Sequence, residues 1–341
     1  MPIPFLLIGG AIASGIVGAV KGGEAISKNS QAKEILEKAE ERFNKKKKEM
    51  ELQRQCTSKE LEEYGKLKIT IWDEQFARFL DIYKNFKNVR IVGQVELDQG
   101  LTKSMTPEAL KEMKTLSVTA GEIVAGGIGA LGTGALAGVA SYGGAMMFAS
   151  ASTGTAIASL SGVAATNATL AWFGGGSLAV GGLGMAGGAA VLGGLVAGPI
   201  IAVGGFFMAA KAKENLEHAR TKAVEANRAI EQMNNAISLL KQIESLTKQY
   251  YTLVTRLNNK LNDLMDQLEF LVFDLKHSEE AIDYKTLDGQ NKQFLQKTII
   301  AIQLMKIILE KPLMTEEGKI QPSSAEYINA LPNNQKVLEL L

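Results

Sequence analysis

The sequence contains 88 consecutive residues, from Ile123 to Ala210, without a single Asp, Glu, Lys or Arg. Residues 1–20 are also uncharged, so all 73 charged side chains fall in the remaining 233 residues. The chain therefore divides into a highly charged part and a nearly uncharged part. Its net charge of +1 gives no general reason to expect nucleic acid as a partner.

Residue types that carry chemistry are scarce. The chain has one cysteine, Cys56, and two histidines, His218 and His277, which excludes an internal disulfide and a zinc site of the usual Cys/His kind. Two G-x-G-x-x-G matches, at 127–132 and 182–187, lack the strand and the acidic residue that a dinucleotide site needs. We therefore expect no enzymatic activity, no cofactor and no metal.

The charged parts have the composition of long helices. Residues 24–63 are rich in good helix formers and carry a thin apolar stripe, Ala32, Ile35, Ala39 and Phe43. Between 67 and 87, aromatic residues follow helical spacing and predict one buried face; they are Trp72, Phe76, Phe79, Tyr83 and Phe86. Residues 88–107 look like a connector or a short extended piece, and Thr106 before Pro107 predicts a helix start.

A heptad-like apolar pattern extends from Leu216 to Leu275. It predicts either one helix about 90 Å long or a hairpin of two helices with a break near 247–251. A further helix is predicted over 291–309, followed by a turn at 315–319 and a short helix or tail.

Turn signals divide the uncharged segment into pieces at 123–149, 156–173 and 178–210, each near the length of a membrane span. Glycine and alanine are poor strand formers, so helical hairpins are favoured over extended structure. Small residues recur at every fourth position, as in closely packed membrane helices. The two rows are Gly126, Ala130, Gly134 and Gly138, then Gly182, Ala186, Ala190, Gly194 and Gly198.

The segment is only marginally hydrophobic, which suggests that it lies shielded inside a helical bundle and enters lipid when triggered. Two alternatives remain open: a permanent soluble core of closely packed helices, and a constitutive polytopic membrane protein. Six lysines are candidates for contact with lipid headgroups: Lys45, Lys46, Lys47, Lys48, Lys211 and Lys213.

The stretch 153–162, followed by 168–182, resembles a glycine-rich signature of a widespread group of uncharacterised bacterial membrane-associated proteins. In that group the signature also lies between charged helical arms, after a short apolar N-terminus. The resemblance implies a bacterial origin and no established activity.

In architecture the chain also resembles α-helical pore formers of the cytolysin A and haemolysin BL type, and apolipoprotein L. These carry an apolar hairpin between long amphipathic helices, and the likeness transfers no individual residue. The first basic residue, Lys21, follows the apolar leader rather than preceding it, which is not the order of a secretion signal. We therefore expect a cytoplasmic protein associated with the inner membrane.

The expected fold is all-α, an elongated helical bundle or coiled coil with a glycine/alanine-rich hairpin region. The expected divisions are an apolar N-terminal segment (1–22), a charged arm (23–121), the hairpin region (122–211), long amphipathic helices (212–311) and a tail (312–341). The expected function is insertion into a lipid bilayer or its remodelling, by a homo-oligomer that could form a pore. The alternative is a coiled-coil scaffold that binds a helical partner protein.

Overall fold

The computed structural model describes residues 22–89, 105–128, 132–142, 216–276, 280–315 and 319–330. These residues are almost entirely helical, and the only strands among them are two of two residues each. The expected all-α, elongated class is therefore confirmed.

The first charged arm is one long helical rod. Helix α1 (Gly22–Ile71) continues through a single π-helical turn (Trp72–Phe76) into α2 (Ala77–Tyr83). Its composition explains its length, because no proline interrupts it and most of its residues favour helix. Of the predicted apolar stripe, Ala32, Ala39 and Phe43 are buried and Ile35 is half-buried.

The second arm is α5 (Leu216–Leu275), a single helix of 60 residues. At 1.5 Å per residue it is about 90 Å long. The alternative of a hairpin broken near 247–251 is wrong. Thr247 and Tyr250 lie buried within the continuous helix, and the Thr247 hydroxyl donates to the Ile243 carbonyl one turn earlier at 2.8 Å.

The two arms run parallel. Side-chain hydrogen bonds join Gln53 to Glu244, Gln75 to Asn262 and Arg78 to Glu269, at sequence separations of 187 to 191. The same register continues beyond the helices, where β1 (Phe86–Lys87) pairs in parallel with β2 (Ile282–Asp283). A nearly constant separation along the whole pair defines parallel helices in a fixed register.

The predicted helical face of aromatics is correct up to Tyr83 and wrong at Phe86. Trp72, Phe76 and Phe79 are buried on the first arm. The helix ends at Tyr83, where the Asn85 side-chain amide donates to the Asp81 and Ile82 carbonyls. Phe86 is buried as well, but from strand β1.

Shorter helices cover the arms. Helix α3 (Pro107–Ala125) begins as predicted, with the Thr106 hydroxyl accepting from the Ala109 amide. Helix α6 (Gly289–Glu310) is capped in the same way by Asp288, and α7 (Pro322–Ala330) follows. These helices convert the paired arms into a core with several layers.

The uncharged segment does not begin as one helical piece at Ile123. Ile123 belongs to α3, which ends at Ala125, and Gly127 has a positive φ of 86° that breaks the helix. Helix α4 (Gly132–Tyr142) then starts. The pieces predicted at 156–173 and 178–210, and the apolar leader, lie outside the described residues. In the described ranges, no helix combines the length and apolarity that crossing a membrane requires.

Candidate functional site

Helix α4 lies against the first arm at unusually close range. A Cβ atom added to Gly65 of α1 would lie 2.1 Å from the Leu136 carbonyl oxygen of α4. That distance is far inside van der Waals contact, so only glycine permits this approach of the two backbones. Leu136, Val139 and Ala140 are all buried at the contact. We call this contact, formed by α4 with Gly65 and Lys68, the α4 dock.

Lys68 lies one turn beyond Gly65 and holds the end of α4. Its Nζ donates to the carbonyls of Val139 at 3.3 Å and Ala140 at 3.1 Å. These are carbonyls of the last turn of α4, which have no partner inside the helix. A lysine amine at a helix C-terminus also meets the negative end of the helix dipole.

A second element completes this cap. The carbonyl of Ser141 accepts from the backbone amides of Leu313 at 2.6 Å and Met314 at 3.1 Å. Residues 313–314 lie in the segment that follows α6, so the last turn of α4 is held between the first arm and this segment. Three successive carbonyls, those of residues 139–141, are satisfied from outside the helix.

Lys68 is buried, with 1% of its surface exposed. Burial lowers the pKa of its amine from 10.5 to about 7, and the Glu310 carboxylate partly opposes this shift. The Lys68 amine also lies 4.7 Å from the ring centroid of Tyr64.

Glu310 belongs to a small ionic cluster beside the dock. Burial raises the pKa of its carboxyl, and Lys306, whose Nζ lies 2.7 Å from it, acts in the opposite direction. Lys306 also reaches Glu112 of α3 at 3.1 Å. The carboxylate nearest to Lys68 is therefore already engaged by another lysine.

Two tyrosines line the same interior. The rings of Tyr64 and Tyr250 lie 6.3 Å apart, which joins the two arms at the level of the dock. The Tyr250 hydroxyl donates to the Ser324 carbonyl at 2.9 Å, and burial raises its pKa to about 12. Within the described part of the chain, the buried Tyr64 hydroxyl has no hydrogen-bond partner, and burial raises its pKa well above 10.

The structure separates the members of the first small-residue row. Gly126 is exposed at the C-terminus of α3, whereas Gly134 and Gly138 lie on α4 and Gly138 is buried. Gly126 therefore does not share a helix with the other two. Ala130 and the whole second row, Gly182, Ala186, Ala190, Gly194 and Gly198, lie outside the described residues.

The basic run lies on the first arm, away from the dock. Lys45, Lys47 and Lys48 are exposed, and Lys46 pairs with Glu49 at 2.7 Å. Lys211 and Lys213 lie outside the described residues. Three of the four lysines of the basic run thus face solvent and are not buried in the contact between α1 and α5.

Sequence reasoning missed the two residues that build the dock. Gly65 is the one glycine of the first arm after Gly23, in a region otherwise made of good helix formers, and this isolation was the available signal. Lys68 had no such signal, because it is one of many lysines on this helix. Two exposed aromatics were also missed: Phe270 and Phe273, with 71% and 82% of their surface accessible.

The chain matches no protein-family model, no curated protein and no solved structure.

Proposed function

We propose that this protein is a bacterial membrane-inserting or membrane-remodelling protein that acts from the cytoplasmic side of the inner membrane, without enzymatic activity. The charged arms keep the protein in water and hold the first part of the uncharged segment. Release of that segment buries apolar surface in lipid while its backbone groups remain bonded within helices.

The α4 dock is the observation that supports this proposal. Helix α4 has no charged side chain, and its sequence, GTGALAGVASY, is compatible with lipid as well as with a protein interior. Its attachment to the arms combines buried apolar side chains such as Leu136 and Val139 with the close approach at Gly65 and the polar contacts to the carbonyls of its last turn. In this proposal the arms stay paired when α4 leaves, because part of their contact is a separate cluster of their own apolar residues.

The charged parts have two further roles in this proposal. The exposed lysines of the basic run, together with Lys211 and Lys213, contact anionic headgroups and bring the protein to the bilayer. The arms supply the surfaces through which copies assemble into a homo-oligomer, which forms a pore or deforms the membrane.

Vesicle flotation tests the proposal. The comparison is between the full chain and a variant in which residues 143–210 are replaced by a Gly/Ser linker of equal length. A simple deletion is unsuitable, because the end of α4 and the start of α5 lie at opposite ends of the first arm. Ala140 of α4 lies beside Lys68, whereas Ala226 of α5 packs with Ala39. From the rise of the helix, the C-terminus of α4 and the N-terminus of α5 are roughly 60 Å apart, and a linker must span this distance.

We expect the full chain to float with vesicles of phosphatidylcholine and phosphatidylglycerol, and the linker variant to remain in the dense fraction. The variant keeps α4, the arms and all the lysines of the basic run. Equal flotation of both proteins would assign lipid binding to the parts of the chain that the variant keeps and contradict the proposed role of the uncharged segment.

A coiled-coil scaffold that binds a helical partner is the second candidate. The observation that favours it is the membership of Leu136, Val139 and Ala140 in the same large core cluster as Trp72 and Ile302. A segment that contributes to this core could be a permanent part of it. The scaffold predicts that neither protein floats and that both remain soluble and folded.

A further inference from the structure

We propose that protonation of Lys68 releases α4 from the arms, so that the dock opens as the pH falls. The inference rests on the proposed function, because it names the trigger of the same site. It depends on the position of Lys68: the amine is enclosed by the dock when α4 is in place, and reaches water when α4 leaves.

Lys68 is a titratable group in direct contact with α4. Its amine donates to two carbonyls of α4, and α4 itself offers no carboxylate to balance a positive charge. The neutral amine has two N–H groups and makes both hydrogen bonds without a charge. With Lys68 neutral, the closed dock therefore makes both of these hydrogen bonds. With Lys68 protonated, the closed dock must also enclose an ammonium group, which costs free energy.

Burial is the largest influence on the pKa of Lys68, while the Glu310 carboxylate, the Tyr64 ring and the C-terminal carbonyls of α4 favour its charged form. On the same helix the neighbour is Tyr64, and α5 contributes Tyr250; both are neutral phenols with raised pKa values. Helix α6 contributes Glu310 and Lys306, and α3 contributes Glu112. The two carboxylates are both paired with Lys306, and the Glu310 carboxylate also acts on Lys68 by raising its pKa.

The direction of the pH effect follows from the lowered pKa of Lys68. In the closed state this pKa is about 7, and in the open, solvated state it returns to 10.5. Between these values the open state binds one more proton, so each fall in pH favours opening. The stability of the dock is thus greatest in alkali and is lost as the pH falls toward 7.

Glu310 acts in the opposite direction. Because burial raises the pKa of its carboxyl from 4.5, protonation of this group favours the closed state. A variant that lacks the Lys68 amine but keeps Glu310 therefore separates the two contributions.

Hydrogen exchange measured by mass spectrometry tests the proposal on the full chain. The observable is the protection of backbone amides in 136–142, corrected for the intrinsic pH dependence of exchange. One linked proton predicts a loss of protection of about fiftyfold between pH 9 and pH 7, and less than about twofold between pH 7 and pH 6. Wild-type protection that is flat from pH 9 to pH 7 would overturn the proposal.

Two variants identify the proton-binding group. Lys68→Met fills a similar volume without a titratable group, and we expect protection that does not change over this range. Lys59→Met, an exposed lysine of the same helix, is the matched control and should keep the wild-type slope. A wild-type slope in a folded Lys68→Met would overturn the assignment, and the wild-type titration decides alone if this variant does not fold.

Flotation at pH 9 and pH 7 separates this inference from the proposed function. A pH-dependent dock in a protein that never floats supports the switch and contradicts membrane insertion. Flotation that is equal at both pH values, with flat protection, supports insertion and overturns the switch.

Discussion

At the scale of single residues, Gly65 decides whether α4 can lie on the first arm. Helix propensity alone favours alanine over glycine in a helix interior by about 1 kcal/mol. The structure reverses that preference, because the added methyl would lie 2.1 Å from a backbone oxygen that belongs to another helix. The two effects have opposite signs, which makes this position a sharp test of the dock.

We predict that Gly65→Ala lowers the free energy of unfolding by about 1 to 3 kcal/mol, the usual cost of overpacking. Gly289→Ala is the matched control, since nothing lies within 4 Å of a Cβ there. It should be neutral, or stabilising by less than about 1 kcal/mol. Urea unfolding followed by circular dichroism measures both. A Gly65→Ala protein as stable as wild type would show that α4 does not approach the arm this closely.

The limits of sequence reasoning are clearest at this scale. Thr106 was identified as a helix cap because capping depends on residues three positions apart. Gly65 and Lys68 meet α4 across about seventy positions of sequence, and no local pattern encodes that meeting. The α4 dock therefore depends on tertiary packing, which the local sequence pattern does not predict.

At the scale of elements, the π-helical turn at Trp72–Phe76 joins two helical stretches of the first arm. Such a turn arises when one extra residue is accommodated within an α-helix. It brings the rings of Trp72 and Phe76 into a stacked arrangement with centroids 3.9 Å apart. Both rings are buried, so the extra residue serves the packing of the core.

We predict that deletion of the exposed Glu74 is tolerated, at a cost of about 1 kcal/mol for the altered aromatic stacking. The deletion converts the π turn into ordinary α-helix and leaves the register on both sides intact. Deletion of the exposed Lys59 is the control. It rotates one half of α1 by about 100° relative to the other and should cost several kcal/mol. Comparable losses of unfolding free energy in the two proteins would contradict this view of the turn.

The elements were largely predictable because their signals are periodic. The heptad pattern predicts the 60-residue helix α5, because residues that favour helix and a continuous apolar face occur together along it. The sequence leaves a break near Tyr250 open, since the irregularity at Ile243 and Leu246 resembles a slip in register. The structure buries both residues on the continuous helix, where several layers pack around it.

At the scale of the whole molecule, the core is unevenly distributed along the paired arms. A large cluster, which includes Trp72, Tyr250 and Ile302, joins the arms to α3, α4 and α6. A smaller cluster, with Ala39, Phe43 and Met233, contains residues of the two arms alone among the residues that the structure describes. The dock belongs to the large cluster, so α4 is attached where the most described helices meet.

The parallel direction of the arms was not predictable from sequence. Heptad patterns fix which face of a helix is buried, but they do not fix the direction of the partner. Parallel arms require the chain between them to return along the length of the pair, and the uncharged segment lies within that return. The segment is therefore connected to both arms, to the first through the contact of α4 and to the second through the chain that leads to Leu216.

The most direct test of the central claim is to ask whether the uncharged segment meets lipid. An environment-sensitive fluorophore is attached at Leu192→Cys in a Cys56→Ser background, and at Glu231→Cys on the exposed side of α5 as a control. With vesicles present, the account predicts that a lipid-borne quencher reduces the signal at 192 and that aqueous iodide reduces it at 231. Quenching at 192 by iodide alone, with no effect of the lipid-borne quencher, would contradict it.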